Sequence, residues 1–80
     1  MFQKIKINLN NIDNIKKFIN IVVLYKEDID MISGRFLIDA KSVMGLFSLD
    51  LSKDVYVSIH TKDINVYNRF NSDMEEFKVE

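Results

Sequence analysis

The first and last strands along this chain are predicted from a two-residue hydrophobic repeat. Residues 2–9 alternate, with Ile5, Ile7 and Leu9 on one side and lysine or asparagine between them. Residues 55–61 alternate in the same way and carry the clearest strand pattern in the chain. Strict alternation is typical of a strand that buries one face and exposes the other, so both segments are predicted to be strands.

A hairpin is predicted between these two strands. Residues 28–33 and 36–40 are short apolar-rich segments, and Gly34 and Arg35 separate them. Glycine adopts a positive φ without steric cost, and tight two-residue turns require such a φ. The second segment is therefore predicted to return beside the first.

Helices are predicted where apolar residues recur at three- and four-residue spacing. The first is predicted to begin at Asn10 or Asn11, whose side chains suit a helix N-cap, and to run to about residue 26. A short helix is predicted at 42–49, and Asp63 is predicted to cap a last helix. The expected apolar face comprises Ile12, Ile15, Phe18, Ile19, Val22 and Val23 in the first helix, and Tyr67, Phe70, Met74 and Phe77 in the last.

The predicted elements follow the order β-α-β-β-α-β-α and define a single domain, residues 1–80. A chain of this length supports one hydrophobic core and not two. A four-stranded, mostly antiparallel sheet with the helices on one face would bury every apolar stripe in the pattern. The expected fold class is therefore α+β, an open-faced β-sandwich.

Composition narrows the chemistry further. The chain has no cysteine and a formal net charge of −1, so it offers no disulfide, no thiolate and no field that attracts nucleic acid or membranes. Its longest apolar run, residues 21–25, is far shorter than the roughly 20 residues that span a bilayer. We expect a cytoplasmic protein that binds no nucleic acid directly, no membrane, no metal and no other cofactor.

The most specific signal is the run DAKSVMGLFSL at residues 39–49. It resembles the regulatory segment of the HPr phosphocarrier family of the bacterial sugar phosphotransferase system. In that family a Lys-Ser-aliphatic-Met-Gly run opens the second helix and a Ser-Leu pair closes it. With the same order of elements, the resemblance spans nearly the whole chain and is sharpest from about residue 34 to residue 59.

The resemblance implies an HPr-like fold and assigns roles to residues of this run. Ser42 would be the serine that HPr kinase phosphorylates, and it can also serve as a helix N-cap, where a phosphate is tolerated. Adjacent helix positions diverge by about 100°, so the apolar residues of so short a helix cannot all face inward. The exposed ones would form a docking patch for a transcription regulator or a metabolic enzyme: Val43, Met44 and Phe47.

The family's phosphocarrier histidine is missing. Counting back from Ser42 without gaps places Asn11 at the histidine position and Asp13 at the position of the neighbouring arginine. An amide cannot form a labile phosphoramidate, and a carboxylate repels a phosphate that an arginine would hold. Histidine phosphotransfer at this degenerate site is therefore excluded on chemical grounds.

Three other polar groups are expected to be structural. His60, the single histidine, falls on the strand face opposite Val57 and Ile59, which predicts a solvated position. Acidic residues at the start of the second strand are expected to form a solvated turn and strand edge: Glu27, Asp28 and Asp30. Four lysines would form a small basic patch if the first strand and helix lie side by side: Lys4, Lys6, Lys16 and Lys17.

These features favour a regulatory protein of carbon metabolism that acts by docking onto other proteins and is switched by phosphate on Ser42. A second hypothesis is a phosphotransferase-system carrier with a non-standard acceptor such as His60. A third is an interaction domain of the same fold with a role unrelated to sugar transport. An enzyme is not expected, because the sequence offers no nucleophile with a paired base, no glycine-rich phosphate loop and no metal triad.

Overall fold

A computed structural model of the protein describes residues 2–42, 50 and 52–79. The chain forms β1 (Ile5–Ile7), α1 (Ile12–Val22), β2 (Ile29–Ser33), β3 (Phe36–Asp39), β4 (Val55–Ile59), α2 (Ile64–Asp73) and a short 3-10 helix (Glu75–Phe77). Apart from Ser42, the helix predicted at residues 42–49 lies outside the described residues. No helix in the described ranges has the length and apolar character that crossing a membrane requires.

The strands form a four-stranded sheet in the order β1-β4-β2-β3, and every neighbouring pair is antiparallel. The predicted hairpin is confirmed, because Ser33 pairs with Phe36 across the turn and Gly34 has a φ of 59°. β4 lies between β1 and the hairpin and places Ile59 opposite Ile29. The predicted α+β class with an antiparallel, open-faced sheet is thus confirmed in its general form.

One face of the sheet packs against both helices and encloses the core. Phe18 of α1 and Phe70 of α2 are fully buried, and Phe77 of the 3-10 helix is nearly so. The ring of Phe18 meets that of Phe77 edge-on, with centroids 6.0 Å apart. On the opposite face of the sheet, alternation exposes polar and aromatic side chains such as Lys6 and Tyr56.

β1 is shorter than the strand predicted at residues 2–9. Phe2 leaves the ladder and stacks on Tyr67, with ring centroids 4.6 Å apart. At the other end, Asn8 donates its backbone N–H to the carbonyl of Phe77 at 2.9 Å instead of to a strand. The predicted alternation is nevertheless confirmed, since all three of its apolar residues are buried: Ile5, Ile7 and Leu9.

α1 ends at Val22, earlier than predicted. Leu24 donates its N–H to the carbonyl of Ile21 at 3.1 Å, which tightens the last turn. Beyond the helix, the Lys41 ammonium donates to the carbonyl oxygen of Tyr25 at 2.6 Å. Of the predicted apolar face, Ile15, Phe18 and Val22 are buried and Ile19 is half-buried, whereas the expectation was wrong for Ile12 and Val23, which flank the helix ends and are exposed.

α2 begins as predicted, because the Asp63 carboxylate accepts the N–H of Asn65 at 2.9 Å. The apolar face continues beyond the α-helix into the 3-10 helix, where the pitch changes. Met74 and Phe77 are buried there, and Tyr67 is half-buried. The predicted face is therefore confirmed, although it spans two helix types.

The two outer edges of the sheet differ. Along β1, the C-terminal residues supply the missing partner: Lys78 bridges to Ile7, and Val79 donates its N–H to the carbonyl of Lys6 at 3.4 Å. We call this the closed edge. β3 has β2 on one side and no strand on the other among the described residues, and Phe36 and Leu37 are each 63% exposed. We call this the open edge.

Candidate functional site

At the start of α1, a local side chain accepts a hydrogen bond from one of the first backbone N–H groups of the helix. Asn11 is extended (φ −136°, ψ 158°), and its Oδ1 accepts the N–H of Asn14 at 2.8 Å. That amide is one of those a helix N-terminus offers to an anion, so the asparagine occupies part of the place a phosphate would take. Asp13 is exposed in the first turn, where the helix dipole stabilises its negative charge. The two residues therefore form a capped helix start and supply no imidazole that could accept a phosphoryl group.

Ser42 lies just after β3, and its side chain is exposed. Its N–H donates to the carbonyl of Asp39 at 3.0 Å, and the Asp39 carboxylate accepts the N–H of Lys41 at 2.9 Å. The turn after β3 is thereby held at two points, and it presents Ser42 to solvent. The predicted docking residues Val43, Met44 and Phe47 lie outside the described residues.

Lys41 has a structural role that sequence reasoning missed. Its ammonium donates to the carbonyl oxygens of Tyr25 at 2.6 Å and Glu27 at 2.7 Å. This side chain ties the turn after β3 to the loop between α1 and β2. No spacing rule could have revealed the link, because residues 14 and 16 positions apart in the chain meet only in the folded sheet.

The acidic group before and within β2 is less solvated than predicted. Asp28 is exposed, but Glu27 and Asp30 are half-buried. The Glu27 Oε1 atom is fully buried and makes no hydrogen bond within the structure. The backbone carbonyl of the same residue accepts the Lys41 ammonium at 2.7 Å. No three His, Cys, Asp or Glu side chains of the described residues are grouped as metal ligands.

His60 lies far from the start of α1. It follows β4 at the end where Ile59 opposes Ile29, whereas α1 begins near the other end, where Ile7 opposes Val55. Its Nε2 is 2.5 Å from the Asp30 carboxylate, and 44% of its side chain is exposed. The predicted solvated position is therefore confirmed, with Asp30 as an added partner. The imidazole therefore supplies no group to the start of α1.

The predicted basic patch does not form. Lys6 lies on the open face of the sheet, 3.7 Å from the Asp54 carboxylate, whereas Lys17 lies on α1, 3.8 Å from the carboxylate of Glu76. α1 packs on the opposite face of the sheet, so the strand and helix lysines point to different sides. The prediction failed because it placed the two elements edge to edge when they are stacked in layers.

Tyr25, Arg69 and Asp73 form a cluster that the sequence did not signal. The Tyr25 hydroxyl is 2.5 Å from the Asp73 carboxylate, and the Arg69 guanidinium lies over the Tyr25 ring at 4.8 Å. Burial, and next the hydrogen bond to Asp73, raise the pKa of Tyr25 to about 12. This phenol is therefore protonated at neutral pH, and the cluster joins the loop after α1 to the end of α2.

Comparison with known proteins adds no relative, since no family model matches the chain and no curated protein matches it significantly. What the protein does must be inferred from its side chains. They provide an exposed serine on a braced turn, a helix start without an acceptor, and a histidine–aspartate pair at the far end of the sheet.

Proposed function

We propose that this protein is an HPr-like regulatory domain that does not carry phosphate on histidine and acts by binding other proteins. The observation that carries the proposal is the start of α1. Asn11 caps the helix and Asp13 adds a negative charge, so the position has neither an imidazole nor a cation to hold a phosphoryl group. The element order and the strand order β1-β4-β2-β3 support an HPr-like fold for the chain.

Ser42 is the proposed point of control. Its exposure allows a kinase to reach it, and the DAKSVMG run around it supports HPr kinase as that enzyme. A phosphoryl group would add a charge of about −1.5 to −2 beside the proposed docking residues Val43, Met44 and Phe47. The modification would thus change which protein, a transcription regulator or a metabolic enzyme, the surface binds. The proposed site of action is the cytoplasm.

The first test is phosphorylation by HPr kinase and ATP, read by intact mass. We expect the wild-type protein to gain one phosphoryl group and Ser42→Ala to gain none. Ser52→Ala removes another exposed serine and is the matched control, because it should be modified like the wild type. A wild-type protein that stays unmodified would rule out the switch, and a gain that survives in Ser42→Ala would move it to another residue.

A carrier that uses His60 is the second candidate function, because a carboxylate at 2.5 Å can orient an imidazole for phosphoryl transfer. Incubation with Enzyme I and phosphoenolpyruvate separates the two. The regulatory proposal expects no acid-labile adduct on the wild-type protein. An adduct that forms on the wild type and disappears in His60→Asn would replace the regulatory proposal with the carrier.

A further inference from the structure

The open edge carries apolar side chains where an edge strand is normally protected. Phe36 and Leu37 are each 63% exposed on β3, and Arg35 and Asp39 bracket them. β3 has no proline and no bulge among its paired residues, and its register with β2 is continuous from Phe36 to Asp39. Such an edge is a template for pairing with another strand.

The backbone of this edge has free hydrogen-bonding groups at defined positions. Ala40 donates its N–H to the carbonyl of Ile29 at 2.8 Å, so Ala40 faces β2. Alternate residues of an antiparallel strand face the same neighbour. Phe36 and Ile38 therefore direct their N–H and C=O groups toward β2, and Leu37 directs both of its groups outward. The Asp39 N–H also points outward, while the Asp39 carbonyl accepts the N–H of Ser42.

The charges of the edge select a single register for pairing with itself. If Leu37 lies opposite Leu37 of a second copy, each Arg35 lies opposite an Asp39, and opposite charges meet twice. Placing Leu37 opposite Asp39 leaves each Arg35 without an Asp39 partner, and placing Asp39 opposite Asp39 brings two carboxylates together. Like charges directly opposite are destabilising. Asp39 already lies opposite Asp30 within its own sheet, so an added guanidinium is especially favourable there.

Side-chain direction agrees with this register. Ile38 lies opposite Met31, which belongs to the buried face, so Ile38 and Phe36 point to the core side of the sheet. Leu37 and Asp39 point to the open face, and Arg35 lies in the turn just before β3. Directly opposed residues of antiparallel strands share a face. Leu37 thus meets Leu37 between the two ion pairs, and each Phe36 meets an Ile38 on the core side.

We propose that β3 pairs antiparallel with β3 of a second copy of this chain, centred on Leu37, and joins two four-stranded sheets into one. The occupant of the open edge is a second copy because the strand is complementary to itself in charge, in exposed apolar residues and in outward backbone groups. The strand is short, so the interface is small and the dimer forms reversibly in a concentration-dependent way. This inference does not depend on the proposed function.

The first experiment measures association of the full chain by sedimentation equilibrium, at concentrations from about 10 μM to about 1 mM, where small interfaces associate. We expect the wild-type mass to rise from monomer toward dimer. Leu37→Lys places like charges at the centre and should weaken association about tenfold or more, or ~1.4 kcal/mol. Leu24→Lys is the matched control, since Leu24 is 83% exposed away from the edge, and it should dimerise like the wild type.

Either of two results in this series overturns the proposal. A wild-type protein that remains monomeric over the whole range shows that the edge does not pair. Equal weakening by Leu37→Lys and Leu24→Lys places the interface elsewhere. Circular dichroism of each variant establishes that it is folded, which both exposed positions should allow.

A charge exchange tests the register. Arg35→Asp alone and Asp39→Arg alone should each lose the dimer, because each creates like charges opposite one another. An equimolar mixture of the two should restore it, since every 35–39 pair across the interface is again oppositely charged. A mixture that stays monomeric while the wild type dimerises contradicts the proposed register.

A cysteine at position 37 tests the interface independently, because the two copies of this residue would lie opposite each other and the chain has no native cysteine. Opposed residues centred on the axis lie within disulfide range, with Cα atoms about 5.5 Å apart. Leu37→Cys should therefore cross-link under mild oxidation, and Leu24→Cys should cross-link far more slowly. Similar rates for the two variants would contradict the proposal.

Discussion

The two edges of the sheet differ in whether described residues of the chain pair with the outer strand. At the closed edge, Lys78 and Val79 pair with β1, and Phe77 anchors this segment in the core. At the open edge, β3 keeps its outward backbone groups and exposes Phe36 and Leu37. Exposure of an edge strand is therefore not forced by the fold. Among the described residues, the C-terminal segment covers one edge, and the proposed dimer would cover the other.

The largest expected effect is a difference in unfolding free energy between alanine substitutions of one phenylalanine at each edge. Phe77→Ala removes a side chain that is 2% exposed and packs on Phe18, so it should cost about 3–5 kcal/mol of unfolding free energy. Phe36→Ala removes an exposed ring of the same size and should change the free energy by less than about 0.5 kcal/mol. Urea denaturation at dilute protein concentration measures both. Similar losses would mean that the open edge is as much a part of the core as the closed one.

Lys41→Met tests the link between the turn after β3, at the open edge, and the loop after α1. The substitution keeps the length of the side chain but removes the ammonium bound to the carbonyls of Tyr25 and Glu27. We expect a loss of about 1.5–3 kcal/mol, because hydrogen bonds to charged groups are the stronger kind. Lys53→Met at an exposed position is the control. If both variants unfold at the same urea concentration, the link does not stabilise the fold.

Tyr25→Phe tests whether a contact outside the closed edge stabilises it. Tyr25 donates a hydrogen bond to Asp73 at the end of α2, just before the C-terminal segment that pairs with β1. At neutral pH we expect a loss of about 1 kcal/mol. The pKa of Tyr25 is raised to about 12, whereas an unfolded tyrosine ionises near 10. The unfolded chain therefore releases this proton first, so the stability that the phenol contributes is intact below pH 10 and is lost as the pH rises to about 12.

Absorbance of tyrosinate during a pH titration measures this difference directly. The wild-type protein should show one phenol that ionises late, and Tyr25→Phe should lack that phase. Tyr56→Phe, at an exposed position, is the control and should retain it. A late phase that survives in Tyr25→Phe would assign the shifted pKa to another residue.

The smallest expected effect is a difference in amide exchange between the edges. The Asn8 N–H is bound to Phe77 at 2.9 Å, while the Leu37 N–H points away from β2. In dilute protein, hydrogen exchange followed by NMR should be about tenfold or more faster at Leu37 than at Asn8. Slow exchange at Leu37 under conditions where the protein is monomeric would show that the open edge is covered.

Much of the fold could be predicted from local sequence, and the parts that failed depended on distant contacts. Alternation identified β4, the glycine identified the hairpin turn, and Asn11 and Asp63 were recognised as helix caps. The link from Lys41 to the loop after α1 could not be predicted, because it joins distant parts of the chain. The basic patch failed for the same reason, since the layering of α1 on the sheet is a tertiary property.

The candidate site was predicted less completely than the fold. The absence of an imidazole at the start of α1 could be predicted, because residue type alone decides that chemistry. The exposure of Ser42 agrees with its proposed role, while the regulatory function rests on a sequence resemblance and stays a prediction. The pairing of His60 with Asp30 was not foreseen, because the two residues become neighbours only once β4 inserts beside β2.

The position of β4 between β1 and β2 also has a consequence for how the chain assembles. The β2–β3 hairpin closes over two residues and can form within microseconds, as local contacts do. β1 is synthesised earlier, yet its partner Val55–Ile59 is made about fifty residues later, and closing so large a loop carries an entropic cost. On the ribosome, β1 cannot pair with β4 until residues 55–59 have emerged, whereas the two strands of the hairpin become available almost together.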